Sequence, residues 1–190
     1  PIWGQFSEIE NTYRQLEVKL RNTQGHLMEI QFRLYNDGLG FRYVFPEQEK
    51  VNQLVIRDEL TQFSMVGDHK TWWVPGCWDN DEYPYTESEI SKINTSFFQH
   101  EYPYSNATSI THIHSVNTPV SMKSAGGQYF SIHEAALIDF PGMSLTIDTA
   151  AYTFKSHLAE SHIEPGIKAK INLPYHTPWR TIQMTRNAGE

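Results

Sequence analysis

Two stretches near the start of the chain alternate apolar and polar residues one by one. HLMEIQFRLY at residues 26–35 and LGFRYVF at 39–45 both follow this pattern, and the turn signal Asn36-Asp37-Gly38 lies between them. Side chains of a β-strand point alternately to opposite faces, so each stretch has one apolar face. Asp-Gly is a preferred hairpin turn. These residues predict a β-hairpin that is buried on one side, and the pattern does not fit an amphipathic helix.

Short stretches of the same kind continue along the chain. We predict further strands at residues 13–20, 60–66, 109–116, 127–134, 143–148, 152–158, 166–173 and 179–185. Turn signals that contain glycine or proline separate several of them. Residues 86–94 are predicted as a short helical turn, and residues 76–107 as a long irregular excursion. Short strands with turn punctuation are typical of a sandwich. We therefore predict an all-β fold, an antiparallel β-sandwich, in one domain that spans residues 1–190.

Composition excludes several functional classes. The net charge is −7 and no basic block occurs, so no nucleic acid partner is expected. No apolar run approaches the length of a membrane span, so no membrane span is expected either. Cys77 is the one cysteine, which excludes an intramolecular disulfide and a cysteine-based zinc cluster.

Glu134 is a carboxylate in an unusual place. In residues 128–134, Phe130, Ile132 and Glu134 share one face, and the two apolar side chains mark that face as buried. A buried carboxylate needs a cation, a donor or a proton. The alternative is that Glu134 emerges at the end of the strand and is solvated. The alternation by itself leaves both interpretations open.

Two other groups of residues could hold a metal. His112 and His114 would lie on one face of a predicted strand, but no third ligand is placed by spacing, and ordinary packing explains the pair better. The acidic run DNDE at 79–82 has the oxygen ligands that calcium prefers, but it lacks the glycine and the distal glutamate of an EF-hand loop. A solvated loop is the preferred interpretation.

Six sequence blocks, in order, resemble a known family. They are GLGFRYVFP at 38–46, DELTQF at 58–63, WWVPG at 72–76, TPV at 118–120, SIHEAAL at 131–137 and PWRTI at 178–182. Together they resemble the N-terminal domain of glycoside hydrolase family 97, the α-glucosidase and α-galactosidase family of Bacteroidetes type. The resemblance covers nearly the whole chain.

The resemblance implies a function for the parent protein. It implies an N-terminal accessory domain of a calcium-dependent, exo-acting α-glycosidase that hydrolyses α-linked oligosaccharides, in the periplasm or outside the cell. The fold implied is a galactose mutarotase-like super-sandwich. The partners implied are the protein's own catalytic barrel, which would follow this domain, and the oligosaccharide substrate. The chain starts at Pro1 without a signal peptide, and the resemblance implies that it also lacks the first strands of the sandwich, which family members have before the point that matches Ile2 and Trp3.

The resemblance also assigns the site residues. It implies that both catalytic carboxylates belong to the barrel, so no catalytic residue is expected in this chain, and the isolated chain is expected to be inactive. Glu134 would be a calcium ligand in the intact enzyme, with the other ligands supplied by the barrel. In the isolated chain we expect Glu134 near a surface that the barrel covers, hydrogen-bonded to water or a neighbour but not ion-paired. The alternative function is an autonomous carbohydrate-binding or mutarotase-like β-module.

Overall fold

The computed structural model describes residues 7–78, 82–98 and 110–189. The fold is all-β, as predicted. The strands are β1 (Arg14–Arg21), β2 (Leu27–Tyr35), β3 (Gly38–Phe45), β4 (Gln53–Ile56), β5 (Gln62–Ser64), β6 (Lys70–Trp73), β7 (Thr86–Glu89), β8 (Ser115–Asn117), β9 (Val120–Lys123), β10 (Tyr129–Ala135), β11 (Met143–Asp148), β12 (Thr153–Leu158), β13 (Ala169–Asn172), β14 (Tyr175–His176) and β15 (Trp179–Thr185). A 3-10 turn, Ile90–Lys92, follows β7.

The strands form two large sheets and one small one. The larger sheet has nine strands in the order β1-β2-β3-β15-β10-β9-β6-β7, and β14 pairs with β3 beside this path. A four-stranded sheet has the order β5-β12-β11-β8, and β13 pairs with β4 separately. The ladders in all three sheets are antiparallel. Strand β15 joins the two halves of the nine-stranded sheet, because it lies between β3 and β10.

The core lies between the nine-stranded and four-stranded sheets. The nine-stranded sheet contributes Trp73, Met122 and Ile132, and the four-stranded sheet contributes Leu145 and Phe154 to the same cluster. Four of these five side chains are fully buried, and Trp73 is 1% exposed. The architecture is therefore an antiparallel β-sandwich, which confirms the predicted fold class.

The predicted hairpin at residues 26–45 is confirmed. Strands β2 and β3 pair from Glu29 with Val44 to Tyr35 with Gly38, across the turn at Asn36 and Asp37. Gly38 begins β3 where that strand runs against β15. A Cβ at this position would collide with the carbonyl oxygen of Ile182 and lie 3.1 Å from the Cα of Gln183. The second strand pairing therefore requires glycine at position 38.

Several predicted boundaries are wrong. The predicted strand at 109–116 begins only at Ser115, because residues 113 and 114 form a bend. The predicted helical turn at 86–94 consists of β7 followed by the 3-10 turn. Strands β4, β6, β9 and β14 were not predicted. Each has only two to four residues, which is too short for a period of two to be distinguished from chance.

In the described part of the chain, strands β1 and β2 contribute no side chain to the buried core cluster. Their apolar row remains accessible, with Leu16 at 59%, Leu20 at 40% and Leu34 at 56% exposed. Strand β1 is also the terminal strand of the sheet order. In the described ranges, no helix is long and apolar enough to cross a membrane.

Candidate functional site

Arg180 is the centre of a charged cluster inside the sandwich. It lies on β15 directly opposite Glu134 of β10, and its side chain is fully buried. The local sequence explains this position, since Arg180 alternates with Trp179 and Thr181, and its row on the inner face continues with Ile182. A buried guanidinium needs anionic partners on its N–H groups. The cluster supplies two.

Glu59 is the first partner. Arg180 Nε donates to Glu59 Oε1 at 2.9 Å, and Nη2 donates to Glu59 Oε2 at 2.6 Å. The pair is therefore bidentate, the geometry that fits a planar guanidinium to a carboxylate. Glu59 lies just before β5, and its side chain is only 6% exposed.

A hydroxyl relay holds Glu59 from the opposite side. Thr61 Oγ1 donates to Glu59 Oε1 at 2.9 Å. The phenol of Tyr43 lies 2.7 Å from Thr61 Oγ1, and it is the donor there because the Thr61 hydroxyl already donates its one proton to Glu59. Burial raises the pKa of Tyr43, the bond to Thr61 opposes that rise, and the charge of Glu59 adds to it. Tyr43 thus stays a neutral donor at ordinary pH.

Glu134 is the second partner of Arg180. Arg180 Nη1 donates to Glu134 Oε2 at 2.8 Å. The backbone N–H of Met143, the first residue of β11, donates to Glu134 Oε1 at 3.1 Å. The Glu134 side chain is 9% exposed. Both oxygens are held, yet the carboxylate lies at the edge of the cluster that reaches the surface.

The loop that follows β10 lies beside this edge. Ala136 and Asp139 have positive φ values of 54° and 50°, a conformation that non-glycine residues adopt only when the surroundings hold it. Tyr175 Oη donates to the carbonyl of Asp139 at 2.9 Å. Between them, Leu137 and Ile138 are 47% and 70% exposed. An apolar tip therefore lies beside Glu134.

The charges of the cluster do not balance. Among the ion pairs of the described residues, Glu59 and Glu134 each pair with Arg180 and with no other cation. Burial lowers the pKa of Arg180, but the hydrogen bonds and charges of Glu59 and Glu134 outweigh that effect, so the pKa is raised overall. With both carboxylates ionised, one guanidinium faces two negative groups and the cluster carries a net charge of −1.

The alternation of β10 correctly predicts the face of Glu134, and its predicted hydrogen bond to a neighbour is present, but the expectation that it is not ion-paired is wrong. Ile132 is fully buried and Glu134 follows it on the same face, as expected. Glu134 is not an unpaired carboxylate, however, because it is bonded to Arg180. A sequence signal for Arg180 existed: it shares the inner-face row of β15 with Ile182, as Glu134 shares its row with Ile132. Two charges in facing apolar rows predict an ion pair.

The cluster fits a calcium ion only in part. Carboxylate oxygens are the ligands that calcium prefers, and the uncompensated negative charge favours a cation. Calcium takes about six to eight oxygens, however, and Glu134 supplies at most two. Within the described residues, no group of three or more His, Cys, Asp or Glu side chains could hold a metal ion. Further ligands would have to come from a partner.

The other metal candidates do not form a site in the described residues. His112 Nδ1 accepts the backbone N–H of His114 at 3.0 Å. His114 Nδ1 lies 2.7 Å from the carbonyl of Ile93, so this nitrogen is the donor. The pair therefore stabilises local backbone, in agreement with the interpretation as packing. Most of the acidic run at 79–82 lies outside the described residues.

Comparisons with known proteins cover the whole chain. A sequence model described as Glycosyl-hydrolase 97 N-terminal matches residues 1–190. A glycoside hydrolase family 97 enzyme from Pseudoalteromonas sp. strain K8, solved with acarbose, is 27% identical with a TM-score of 0.78. The match covers 99% of this chain and 26% of that enzyme. A variant of the enzyme solved with panose gives the same values.

A β-arabinopyranosidase structure shares the fold. It is 17% identical, with a TM-score of 0.75, and the match covers 94% of this chain and 28% of the other. The chain thus spans about a quarter of the length of these solved relatives. The resemblance read from the six sequence blocks is confirmed: this chain belongs to the family of N-terminal domains of glycoside hydrolase family 97.

Proposed function

We propose that the chain is the accessory domain of a calcium-dependent, exo-acting α-glycosidase, and that it supplies Glu134 to the calcium site and shapes the entrance to the active site. The observation that carries this proposal is the geometry of Glu134. Its carboxylate is fixed by Arg180 and Met143, belongs to a cluster with an uncompensated negative charge, and lies at an edge of the sandwich with 9% of the side chain exposed.

The surface around Glu134 supports a docked catalytic domain. Leu137 and Ile138 expose apolar area beside the carboxylate, and Leu60, next to Glu59 in the chain, is 82% exposed. Exposed apolar residues that cluster around a functional group are typical of an interface. We infer that the protein's own catalytic barrel covers this edge and contributes the remaining oxygen ligands.

The chemistry divides between the two domains. Glycoside hydrolysis needs a proton donor and a second carboxylate on either side of the scissile bond, and we assign both to the barrel. Calcium, when bound, would orient the sugar and polarise the groups around the reacting bond. In this chain, Arg180 and the Met143 N–H hold the Glu134 carboxylate in a fixed orientation. We expect the isolated chain to be inactive.

The related enzymes support an oligosaccharide as substrate. The family 97 enzyme from Pseudoalteromonas was solved with acarbose and with panose, and we extend that substrate class to the parent protein as an α-glucosidase or α-galactosidase. The same resemblance supports a periplasmic or secreted location.

The test is to produce the full-length enzyme and compare it with its Glu134→Gln variant. Hydrolysis of p-nitrophenyl α-glucoside and α-galactoside is measured across a calcium titration after chelation. We expect the variant to need more calcium and to lose activity at low calcium, with partial recovery when calcium is in excess. Normal calcium dependence of the variant would show that Glu134 is structural. Hydrolysis by the isolated chain would contradict its assignment as an accessory domain.

A second candidate function is an autonomous carbohydrate-binding module. A groove of about 350 Å³ on the outer face of the large sheet favours it. The rings of Trp72 and Tyr129 lie nearly parallel there, 6.3 Å apart, next to the hydroxyls of Ser121 and Ser131. Aromatic rings with a few polar groups are typical of sugar sites.

This candidate is tested on the isolated chain. Titration with panose or maltotriose should quench tryptophan fluorescence, and Trp72→Ala should abolish the effect, whereas Trp78→Ala should retain it. A Kd of about 1 mM corresponds to a binding free energy of about −4 kcal/mol. If no saturable binding is seen up to about 10 mM sugar, the affinity is weaker than this and an autonomous module is excluded.

A further inference from the structure

Glu59 and Glu134 do not share Arg180 equally. Glu59 takes two N–H groups, on Nε and Nη2, whereas Glu134 takes one, on Nη1. A bidentate pair places the guanidinium charge against both oxygens of a single carboxylate. The positive charge of Arg180 is therefore directed mainly at Glu59, and the negative charge of Glu134 is compensated less than that of Glu59.

The shape of the cluster explains why Glu134 cannot rotate into the bidentate position. Glu59 occupies that edge of the guanidinium and is fixed there by Thr61. The second oxygen of Glu134 is held in another direction by the Met143 N–H. Gly142 leaves space beside that oxygen, because even a Cβ at residue 142 would stay 3.8 Å away from it. The carboxylate is thereby held by one contact on each oxygen.

We propose that Glu59 is a positioning residue for the metal site: by occupying the Nε and Nη2 edge of Arg180, it fixes the guanidinium that orients Glu134 toward a divalent cation. The proposal rests on the calcium role of Glu134 proposed above. Both oxygens of Glu59 are bonded to Arg180, and Thr61 donates to one of them as well, so we assign Glu59 a role through Arg180 and not as a ligand. Without the charge of Glu59, Glu134 would be the one anionic partner of Arg180 in the cluster, and the net charge with Glu134 ionised would be zero instead of −1.

The size of the effect follows from the behaviour of residues that hold metal ligands. Replacement of a group that hydrogen-bonds or orients a ligand typically lowers metal affinity by about 10- to 100-fold. Loss of one negative charge near a dication acts in the same direction. A residue that served only the stability of the sandwich would change the melting temperature and leave the calcium affinity unchanged.

The experiment measures calcium binding directly in the full-length enzyme. Chelator-treated wild type, Glu59→Gln, Glu134→Gln and Glu87→Gln are titrated with calcium by calorimetry, and the melting temperature of each calcium-free protein is recorded. Glu87 is the matched control because it pairs with Lys70 and Trp72 on the outer face. We expect the calcium Kd to rise about 10- to 100-fold in Glu59→Gln, and to change less than about twofold in Glu87→Gln.

A conservative variant separates charge from fold. Glu59→Asp keeps the negative charge, so its calcium Kd should stay within about threefold of wild type even if its melting temperature falls, and this variant decides the matter if Glu59→Gln does not fold. Loss of affinity in Glu59→Asp as large as in Glu134→Gln would overturn the proposal, as would an unchanged Kd in folded Glu59→Gln. An unchanged Kd in Glu134→Gln would instead contradict the calcium role of Glu134.

Discussion

Replacement of Arg180 by methionine tests the energetic role of the buried cluster. Methionine keeps much of the length of the side chain but removes the charge and all three hydrogen bonds to Glu59 and Glu134. Both carboxylates would remain, with side-chain exposures of only 6% and 9%. Their mutual repulsion and lost solvation would no longer be compensated.

The expected loss is large compared with the stability of a domain. Removal of one partner from a buried ion pair costs about 3–5 kcal/mol, and three charged hydrogen bonds at about 1.5–3 kcal/mol each are of the same order or larger. Domains have only about 5–15 kcal/mol of stability in total. We therefore expect Arg180→Met to lose at least about 3 kcal/mol.

Urea unfolding of the isolated chain, followed by tryptophan fluorescence and circular dichroism, measures the difference. The matched control is Arg42→Met on the adjacent strand. Arg42 points to the outer face, where it lies 4.5 Å from the Trp179 ring and bonds to Gln31. An exposed contact of this kind contributes about 0.5–1 kcal/mol, so the control should lose much less than Arg180→Met.

A double variant checks the cause. If unpaired charge is what destabilises Arg180→Met, then adding Glu59→Gln should restore part of the lost stability, because it removes one of the two uncompensated charges. A loss below about 1 kcal/mol in Arg180→Met, comparable to an exposed contact, or a further loss in the double variant, would refute this account of the cluster.

Three further results are expected from the isolated chain. Glu134→Gln should lose about 1.5–3 kcal/mol in urea unfolding, since it removes a charged hydrogen bond; a neutral effect would mean that the bond to Arg180 contributes nothing. Gly38→Ala should destabilise by at least about 1 kcal/mol because of the backbone collision at that position, whereas Gly126→Ala, whose Cβ would lie 3.7 Å from its nearest neighbour, should stay within about 0.5 kcal/mol. Burial first, then the charge of Lys168, lower the pKa of His157 below 6.5. The stability that the neutral His157 contributes should therefore be fully present above pH 6.5, and it should decline below pH 6.5 as the imidazole of the unfolded chain binds a proton. That decline, measured by urea unfolding between pH 7 and 5, should be smaller in His157→Phe.

The long alternating segments were predictable because their period reports directly on burial. β11 and β15 have the predicted bounds, and β2 and β3 differ from theirs by one residue each. Short strands such as β6 were not predictable. In β6, Trp73 faces the core and Trp72 faces outward, so two large aromatic residues in succession hide the alternation.

The site was predictable only in part, for a different reason. The row on β10 gives the face of Glu134, but its partner Arg180 lies 46 positions away, and Glu59, the other partner of Arg180, lies 75 positions away. No local pattern states that β15 lies beside β10, or that the segment before β5 crosses the same point. Such pairings depend on the order of strands in the sheet, which is a property of the whole fold.

That order has a consequence for the way in which the protein can be made. β15 lies between β3 and β10, and its pairing of Arg180 with Phe41 joins residues 139 positions apart in the sequence. During synthesis, the hairpin of β2 and β3 leaves the ribosome long before the strand that joins it to the other half of the sheet. Until residues 179–185 emerge, the edges of β3 and β10 that β15 will join remain unpaired, and Glu59 lacks its ion-pair partner Arg180. Contacts of such long range make folding slow and leave the nascent chain exposed to mispairing, so the final strand determines when the domain becomes a single cooperative unit.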